Sequence, residues 1–115
     1  MATVLGIDVG GTKTSAGIYG AADATLTPLR TLRIENRHHA SFGSVMADIA
    51  GQWGVLPDTV CLANAGVVER GRASITNLPW VIDADQIAAR HGFTRVVLVN
   101  DMTALCRSTM HLSSH

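Results

Sequence analysis

The chain has 115 residues, of which nine are basic and nine acidic, so its formal net charge is zero. No block of lysine and arginine stands out, which argues against a nucleic-acid partner or an anionic membrane surface. Charged residues make up only 16% of the chain; either another surface covers one face of the domain, or the domain is simply compact and rich in alanine and glycine.

The cellular location follows from the apolar segments and the cysteines. No apolar stretch approaches the ~20 residues that cross a bilayer, and Asp8 interrupts the first apolar run, where a signal peptide would continue. Cys61 and Cys106 lie far apart in apolar runs, a pattern typical of buried free thiols in a reducing compartment. We therefore expect a cytoplasmic protein without a membrane partner.

The first third of the chain predicts three strands in an antiparallel meander. Residues 4–9 alternate with a period of two, which is typical of a strand. Gly10 and Gly11 follow as a two-residue hairpin link, in which glycine adopts positive φ at little cost. Residues 14–19 and 29–35 supply the second and third strands.

The rest of the chain alternates helices with short strands. The helix signals are capping residues, Ser41 or Ser44 for the first helix and Asp83 for the second, and the glycines that follow each helix. In order, we predict a helix to Trp53, a buried strand over 59–65, a hairpin over 67–76, a helix from Asp83 to Gly92, a buried strand over 95–100 and a helix over 102–111. A meander followed by alternating α and β elements predicts a mixed sheet with helices on its faces.

The end of the first strand is a candidate phosphate site. Because glycine has no side chain, the backbone N–H groups of Gly10 and Gly11 can approach phosphate oxygens closely. Thr12 and Lys13 add a hydroxyl and a cation, and Asp8 would hold Mg²⁺ directly or through water. This is not a Walker loop, because the lysine comes one place late and a strand, not a helix, follows. The alternative is an ordinary tight hairpin in which Asp8 caps the turn.

A second acidic residue, Asp101, follows the apolar run over residues 96–99. An ionised carboxylate beside a sheet core is costly unless a charge, a metal or hydrogen-bond donors offset it. Two strands that each deliver an aspartate at their carboxyl end therefore predict one polar cleft, shared by Asp8 and Asp101. Asp101 also suits the N-cap of the last helix, and both roles can hold together.

Four segments resemble the sugar kinases of the actin-like ATPase superfamily, in the order and spacing of bacterial glucokinases. They are Ile-Asp-Val-Gly-Gly-Thr-Lys at 7–13, Ala-Gly-Val-Val at 65–68, Thr-Asn-Leu-Pro-Trp at 76–80 and Val-Asn-Asp-Met-Thr-Ala at 99–104. The resemblance implies an α/β, ribonuclease H-like mixed sheet flanked by helices, the N-terminal domain of the actin-like ATPase fold. Two positions depart from the family pattern, with Val67 where proline is usual and Met102 where phenylalanine is usual.

The resemblance also implies a reaction, the transfer of the γ-phosphoryl group of ATP to the 6-hydroxyl of glucose or a related hexose. Asp101 would be the catalytic base. The residues that would bind ATP are Asp8, Gly10, Gly11, Thr12 and Lys13, with Asp8 also on Mg²⁺, and those that would bind the sugar are Thr76, Asn77, Asn100 and Asp101. Taken without the resemblance, Thr76 and Asn77 suit a turn before Pro79 equally well.

The family divides its site between two domains, and residues 1–115 resemble only the N-terminal one. We therefore expect a truncated glucokinase-like domain whose second, C-terminal domain is absent. One function class is the N-terminal part of an ATP-dependent glucokinase, inactive without the second domain. The other is a non-catalytic remnant or interaction module, which would pair its bare face with itself or with a complementary C-terminal domain chain.

Overall fold

The computed structural model describes residues 2–22, 25–64, 67–75, 78 and 80–99 of the chain. Within these ranges the chain forms strands, two α-helices and one 3-10 turn. The strands are β1 (Ala2–Val9), β2 (Lys13–Ala22), β3 (Thr25–Glu35), β4 (Thr59–Asn64), β5 (Val67–Glu69), β6 (Arg72–Ser74), β7 (Val81–Asp83) and β8 (Arg95–Val99); the helices are α1 (Phe42–Trp53) and α2 (Ala84–His91), and the 3-10 turn is Asn36–His38.

Five of the strands form one mixed sheet in the order β3-β2-β1-β4-β8. The first three strands pair antiparallel, as a meander. β4 lies parallel to β1, and β8 lies parallel to β4. The predicted class, an α/β fold with an antiparallel meander followed by parallel strands, is therefore confirmed.

The meander is longer than its sequence pattern predicts. β2 extends to Ala22 and β3 already begins at Thr25, whereas the predicted strands end at residue 19 and begin at residue 29. The pairing shifts between Ile18 and Tyr19, which face Arg30 and Pro28, so Leu29 is the extra residue of a bulge. Proline cannot donate a ladder hydrogen bond, and a bulge on an edge strand accommodates it.

Two short elements were not predicted. They are the 3-10 turn Asn36–His38 and strand β7, and three residues are too few to show a period. β7 adds a third strand to the predicted hairpin, giving the small sheet β5-β6-β7. Ala73 in β6 and Ile82 in β7 face each other and are both buried. The predicted helix over 102–111 lies outside the described residues.

The main core lies between one face of the large sheet and α1. Leu5, Ile7 and Val9 alternate onto this face and are buried. The apolar stripe of α1 packs in the same cluster; its buried residues are Phe42, Val45, Met46 and Ile49. Burial of each such side chain contributes roughly 1.5–3 kcal/mol. This packing leaves the alternate positions of β1 on the other face.

The helix ends follow the predicted capping chemistry. Of the two candidate serines, Ser41 caps α1, because its Oγ accepts the backbone N–H of Ser44 at 3.2 Å. Asp83 caps α2 by accepting the N–H groups of Asp85 and Gln86 at 3.0 and 3.2 Å. Gly54 and Gly92 end the two helices with φ values of 73° and 72°. Neither of the helices in the described ranges has the length and apolar character that a membrane span requires.

The opposite face of the large sheet carries a smaller apolar cluster around Val4 and Cys61, against which Tyr19, Val97 and Val99 pack. Cys61 is fully buried, and it is a free thiol. Desolvation raises the pKa of this thiol from 9.0 to about 11, while the positive charge of Arg95 acts in the opposite direction. The buried thiol is therefore neutral at physiological pH.

The raised pKa of Cys61 predicts a loss of stability at alkaline pH. The unfolded thiol ionises near pH 9 and the folded thiol near pH 11, so its contribution is complete below pH 9 and is lost as the pH rises through 11. We expect Cys61→Ala to flatten the fall in the free energy of unfolding over this range, by roughly 3 kcal/mol at most. Urea denaturation at several pH values measures it. An equally steep fall in the variant would contradict the burial of the thiol.

Candidate phosphate-binding site

The carboxyl ends of three parallel strands meet at one edge of the large sheet. Asp8 of β1 faces Ala63 of β4, and Ala63 faces Val99 of β8. Asp8 and Val99 are thus level with each other and separated by one strand, a spacing of about 10 Å. β1 and β8 run in the same direction but are not adjacent. Asn100 and Asp101 follow Val99 in the sequence and lie outside the described residues, so the shared cleft stays a prediction.

The Asp8 side chain is exposed. It alternates with the buried Ile7 and Val9, and therefore projects from the face opposite α1. Solvent offsets its charge, and the expected desolvation cost beside the sheet core does not arise. An exposed carboxylate beside the glycine turn is free to meet a cation or a ligand from outside.

The glycine turn links β1 to β2 through Gly10, Gly11 and Thr12. The Gly10 N–H donates to the Lys13 carbonyl oxygen at 2.9 Å. The expectation of positive φ at the glycines is wrong: the positive-φ glycines of the described residues lie elsewhere in the chain. The Gly10–Lys13 bond continues the register of the ladder beyond the Val9–Thr14 pair, so Gly11 and Thr12 make the reversal, and neither adopts the positive φ of the commonest two-residue links.

The two glycines of the turn serve different needs. A Cβ at Gly10 would lie 2.8 Å from the Lys13 carbonyl oxygen, so the closed turn itself requires glycine there. A Cβ at Gly11 would have no neighbouring atom within 4 Å. The fold does not need a glycine at position 11, and the space beside it is open to a ligand.

The glycine turn presents several hydrogen-bond donors to solvent. Gly11, Thr12 and Lys13 are all exposed. Within the described part of the chain, no acceptor takes the backbone N–H of Gly11 or Thr12. Two backbone donors, a hydroxyl and an ammonium group are thus available together, which is the donor set of a phosphate site.

A buried polar pair supports the turn from below, and the sequence analysis missed it. Thr14 and Asn36 are 0% and 2% exposed. The Thr14 hydroxyl donates to Asn36 Oδ1 at 2.8 Å, and Asn36 Nδ2 donates to the Gly10 carbonyl oxygen at 2.8 Å. The Asn36 backbone N–H donates to the Thr12 carbonyl oxygen at 2.9 Å. Nothing in the polar run from Asn36 to His39 singles out this asparagine, so no sequence signal could have found it.

The residues predicted to bind the sugar fall in segments that the structure does not describe. Thr76, Asn77, Asn100 and Asp101 lie outside the described residues, and their roles stay predictions. Trp80 is described; it is buried and packs with its ring centroid 6.3 Å from that of Phe42. Among the described residues, no group of three or more His, Cys, Asp or Glu side chains forms a metal cluster.

Comparison with known proteins identifies the family. A profile of the glucokinase family matches residues 5–115. The chain belongs to the glucokinase family. A glucokinase from Stenotrophomonas maltophilia is 35% identical over 116 residues, an alignment that covers 96% of this chain and 33% of that protein. The family that the four sequence segments predicted is thereby confirmed.

Solved glucokinases share the fold. The crystal structure of a glucokinase from an Antarctic psychrotroph superposes with a TM-score of 0.81 at 22% identity, covering 90% of this chain and 34% of that one. A ROK family glucokinase from Streptomyces griseus, solved in complex with glucose and AMPPNP, gives a TM-score of 0.62 at 27% identity, covering 86% and 33%. The chain spans about a third of the length of the glucokinases it matches.

The two glycines of the turn predict different effects on stability. Gly10→Ala is expected to lower the free energy of unfolding by about 1–3 kcal/mol, because the new Cβ meets a backbone oxygen. Gly11→Ala meets no atom and is expected to change it by less than ~0.5 kcal/mol. Urea denaturation followed by circular dichroism measures both. Equal losses of unfolding free energy in the two variants would contradict the conclusion that the fold requires glycine at position 10 but not at position 11.

Proposed function

We propose that this domain supplies the phosphate-binding half of an ATP-dependent glucokinase, which transfers the γ-phosphoryl group of ATP to the 6-hydroxyl of glucose. The observation that carries the proposal is the exposed glycine turn next to Asp8, whose Gly11 and Thr12 N–H groups meet no acceptor among the described residues. Membership of the glucokinase family supports the same reading, as does the relative from Streptomyces griseus, which was solved with glucose and an ATP analogue.

On the nucleotide side, the N–H groups of Gly11 and Thr12 would donate to phosphate oxygens, and the Lys13 ammonium would offset their charge. Such contacts are charge-assisted and strong for their length. Asp8 suits Mg²⁺, since this ion is usually held by one or two carboxylates together with substrate phosphates and water. The ion would neutralise charge on the transferred phosphoryl group, and Asp8 would fix it beside the turn.

On the sugar side, Asp101 would accept the proton of the 6-hydroxyl as that oxygen attacks the γ-phosphorus. The shared level of Asp8 and Val99 supports this role, because Asp101 comes only two residues after Val99. Asn100, Thr76 and Asn77 would hold the other sugar hydroxyls. Phosphoryl transfer depends mainly on positioning and charge stabilisation, so an ordinary carboxylate suffices as the base.

The remaining groups of the site would come from a second domain, because the chain spans only about a third of its relatives' length. That domain would be joined in the same polypeptide or supplied by a separate chain. It would close the cleft and exclude water from the reacting phosphate. The buried thiol of Cys61 suits the reducing cytoplasm, where ATP and hexose meet.

The phosphate half of the proposal predicts nucleotide binding by the chain itself. We expect Lys13→Ala to weaken Mg-ATP binding about 10-fold, since it removes a charge-assisted contact. Isothermal titration calorimetry measures the dissociation constant. The matched control is Arg30→Ala, which removes the same charge from an exposed position on the edge strand β3 and should change binding less than twofold. Equal effects of the two variants would indicate non-specific attraction and contradict the site.

The catalytic half is tested in a hybrid enzyme. It joins this chain to the two thirds of a relative, such as the Stenotrophomonas maltophilia glucokinase, that the alignment does not cover. We expect Asp101→Asn to lower kcat for glucose by about 10²–10⁴-fold, because it removes the general base. Its circular dichroism spectrum and its dissociation constant for Mg-ATP should stay unchanged. Turnover is measured by coupling glucose 6-phosphate to a dehydrogenase. Unreduced turnover in the variant would remove Asp101 from the mechanism.

A further inference from the structure

The backbone of the glycine turn is fixed by a residue that lies far from it in the sequence. Asn36 forms hydrogen bonds to two carbonyl oxygens of the turn, through Nδ2 to Gly10 and through its backbone N–H to Thr12. These two carbonyls flank Gly11, whose Cβ position faces open space. Asn36 thus restrains the turn on both sides of Gly11.

The restraint on Gly10 determines where the Gly11 N–H points. The carbonyl of Gly10 and the N–H of Gly11 belong to one planar peptide unit, and in a trans peptide they point in opposite directions. The described chain contains no cis peptide bond. Because the Gly10 carbonyl points inward to a side chain that is 2% exposed, the Gly11 N–H points outward to solvent.

The Gly10 carbonyl determines which way round the Asn36 amide sits, and the Thr14 hydroxyl, which can either donate or accept, adapts to it. A carbonyl oxygen can only accept, so Nδ2 must face Gly10 and Oδ1 must face the Thr14 hydroxyl. Both polar groups are buried, at 0% and 2% exposed, and both are satisfied. The amide therefore has one orientation, and the turn one backbone geometry.

We propose that Asn36 is a positioning residue for the phosphate site: its Nδ2 holds the Gly10 carbonyl so that the Gly11 N–H faces the phosphate of the nucleotide. This inference rests on the function proposed above and extends it to a side chain that does not touch the ligand. A merely structural Asn36 would affect stability alone. A positioning Asn36 also affects the Gly11 amide and the affinity for nucleotide.

The experiment compares Asn36→Leu with Thr14→Val in the full chain. Each change keeps the approximate shape of the side chain and disrupts the buried pair. Thr14→Val keeps the hydrogen bond to Gly10, whereas Asn36→Leu removes it; both keep the backbone bond from position 36 to Thr12. The two readouts are the resonance and exchange rate of the Gly11 amide by nuclear magnetic resonance, and the dissociation constant of Mg-ATP by calorimetry.

We expect Asn36→Leu to shift the Gly11 amide resonance and to weaken Mg-ATP binding about 10-fold, the loss from one misdirected charge-assisted donor. Thr14→Val should leave the resonance in place and the affinity within twofold. If Asn36→Leu binds Mg-ATP like the wild-type chain, or if Thr14→Val weakens binding as much, the positioning role is overturned while the proposed function stands. If the wild-type chain binds no Mg-ATP, the proposed function is overturned, and this inference with it.

A second variant covers the case in which Asn36→Leu does not fold. In Asn36→Asp the carboxylic acid can donate to the Gly10 carbonyl only when it is protonated. Burial at this 2% exposed position raises the pKa of a carboxylic acid above its usual value. We therefore expect the variant's Mg-ATP affinity, expressed relative to the wild-type chain at each pH, to be low at pH 8 and to rise towards pH 5. An affinity equal to that of the wild-type chain at pH 8 would overturn the positioning role.

Discussion

Strand β1 lies at the centre of the large sheet and is hydrogen-bonded on both sides, antiparallel to β2 and parallel to β4. This double pairing fixes the position of its carboxyl end, because the strand cannot shift without breaking two ladders. The glycine turn follows directly after that end, so the paired strand fixes where the turn begins. A loop at the edge of a fixed sheet can carry a binding site without losing geometry.

The alternation of β1 gives its two faces different tasks. Leu5, Ile7 and Val9 pack against α1, while Asp8 projects from the other face and is exposed. Because the side-chain period of a strand is two, a slip of one residue would bury the carboxylate and expose the apolar residues. The hydrophobic core and the acidic residue of the site therefore enforce the same register.

Fold and ligand make separate demands on the turn, and different residues meet them. Gly10 and Asn36 satisfy the fold, one through close approach to the Lys13 carbonyl and the other through buried hydrogen bonds. Gly11, Thr12 and Lys13 remain exposed, and no acceptor among the described residues takes the N–H of Gly11 or Thr12. Hydrogen bonds from Asn36 hold the turn backbone before a ligand arrives, so less ordering entropy is lost on binding than in an unrestrained loop.

The sequence by itself determined the elements whose signals are local. The alternation of residues 4–9 predicted β1. Capping by Ser41 or Ser44 and by Asp83 predicted where α1 and α2 begin, because these bonds join residues two or three apart. Motif chemistry likewise singled out residues 8–13 as a candidate phosphate site, and their roles stay predictions. The sugar-side residues stay predictions of the same kind.

Only the tertiary structure decided the length of β3, the presence of β7 and the role of Asn36. β3 continues along β2 because a ladder partner is available, although its residues 27–31 are exposed and show no alternation. Asn36 meets Thr14 and Gly10 across 22 and 26 residues of chain. Hydrogen bonds between distant segments leave no periodic trace in the sequence, since they depend on which strand ends the folded sheet brings together.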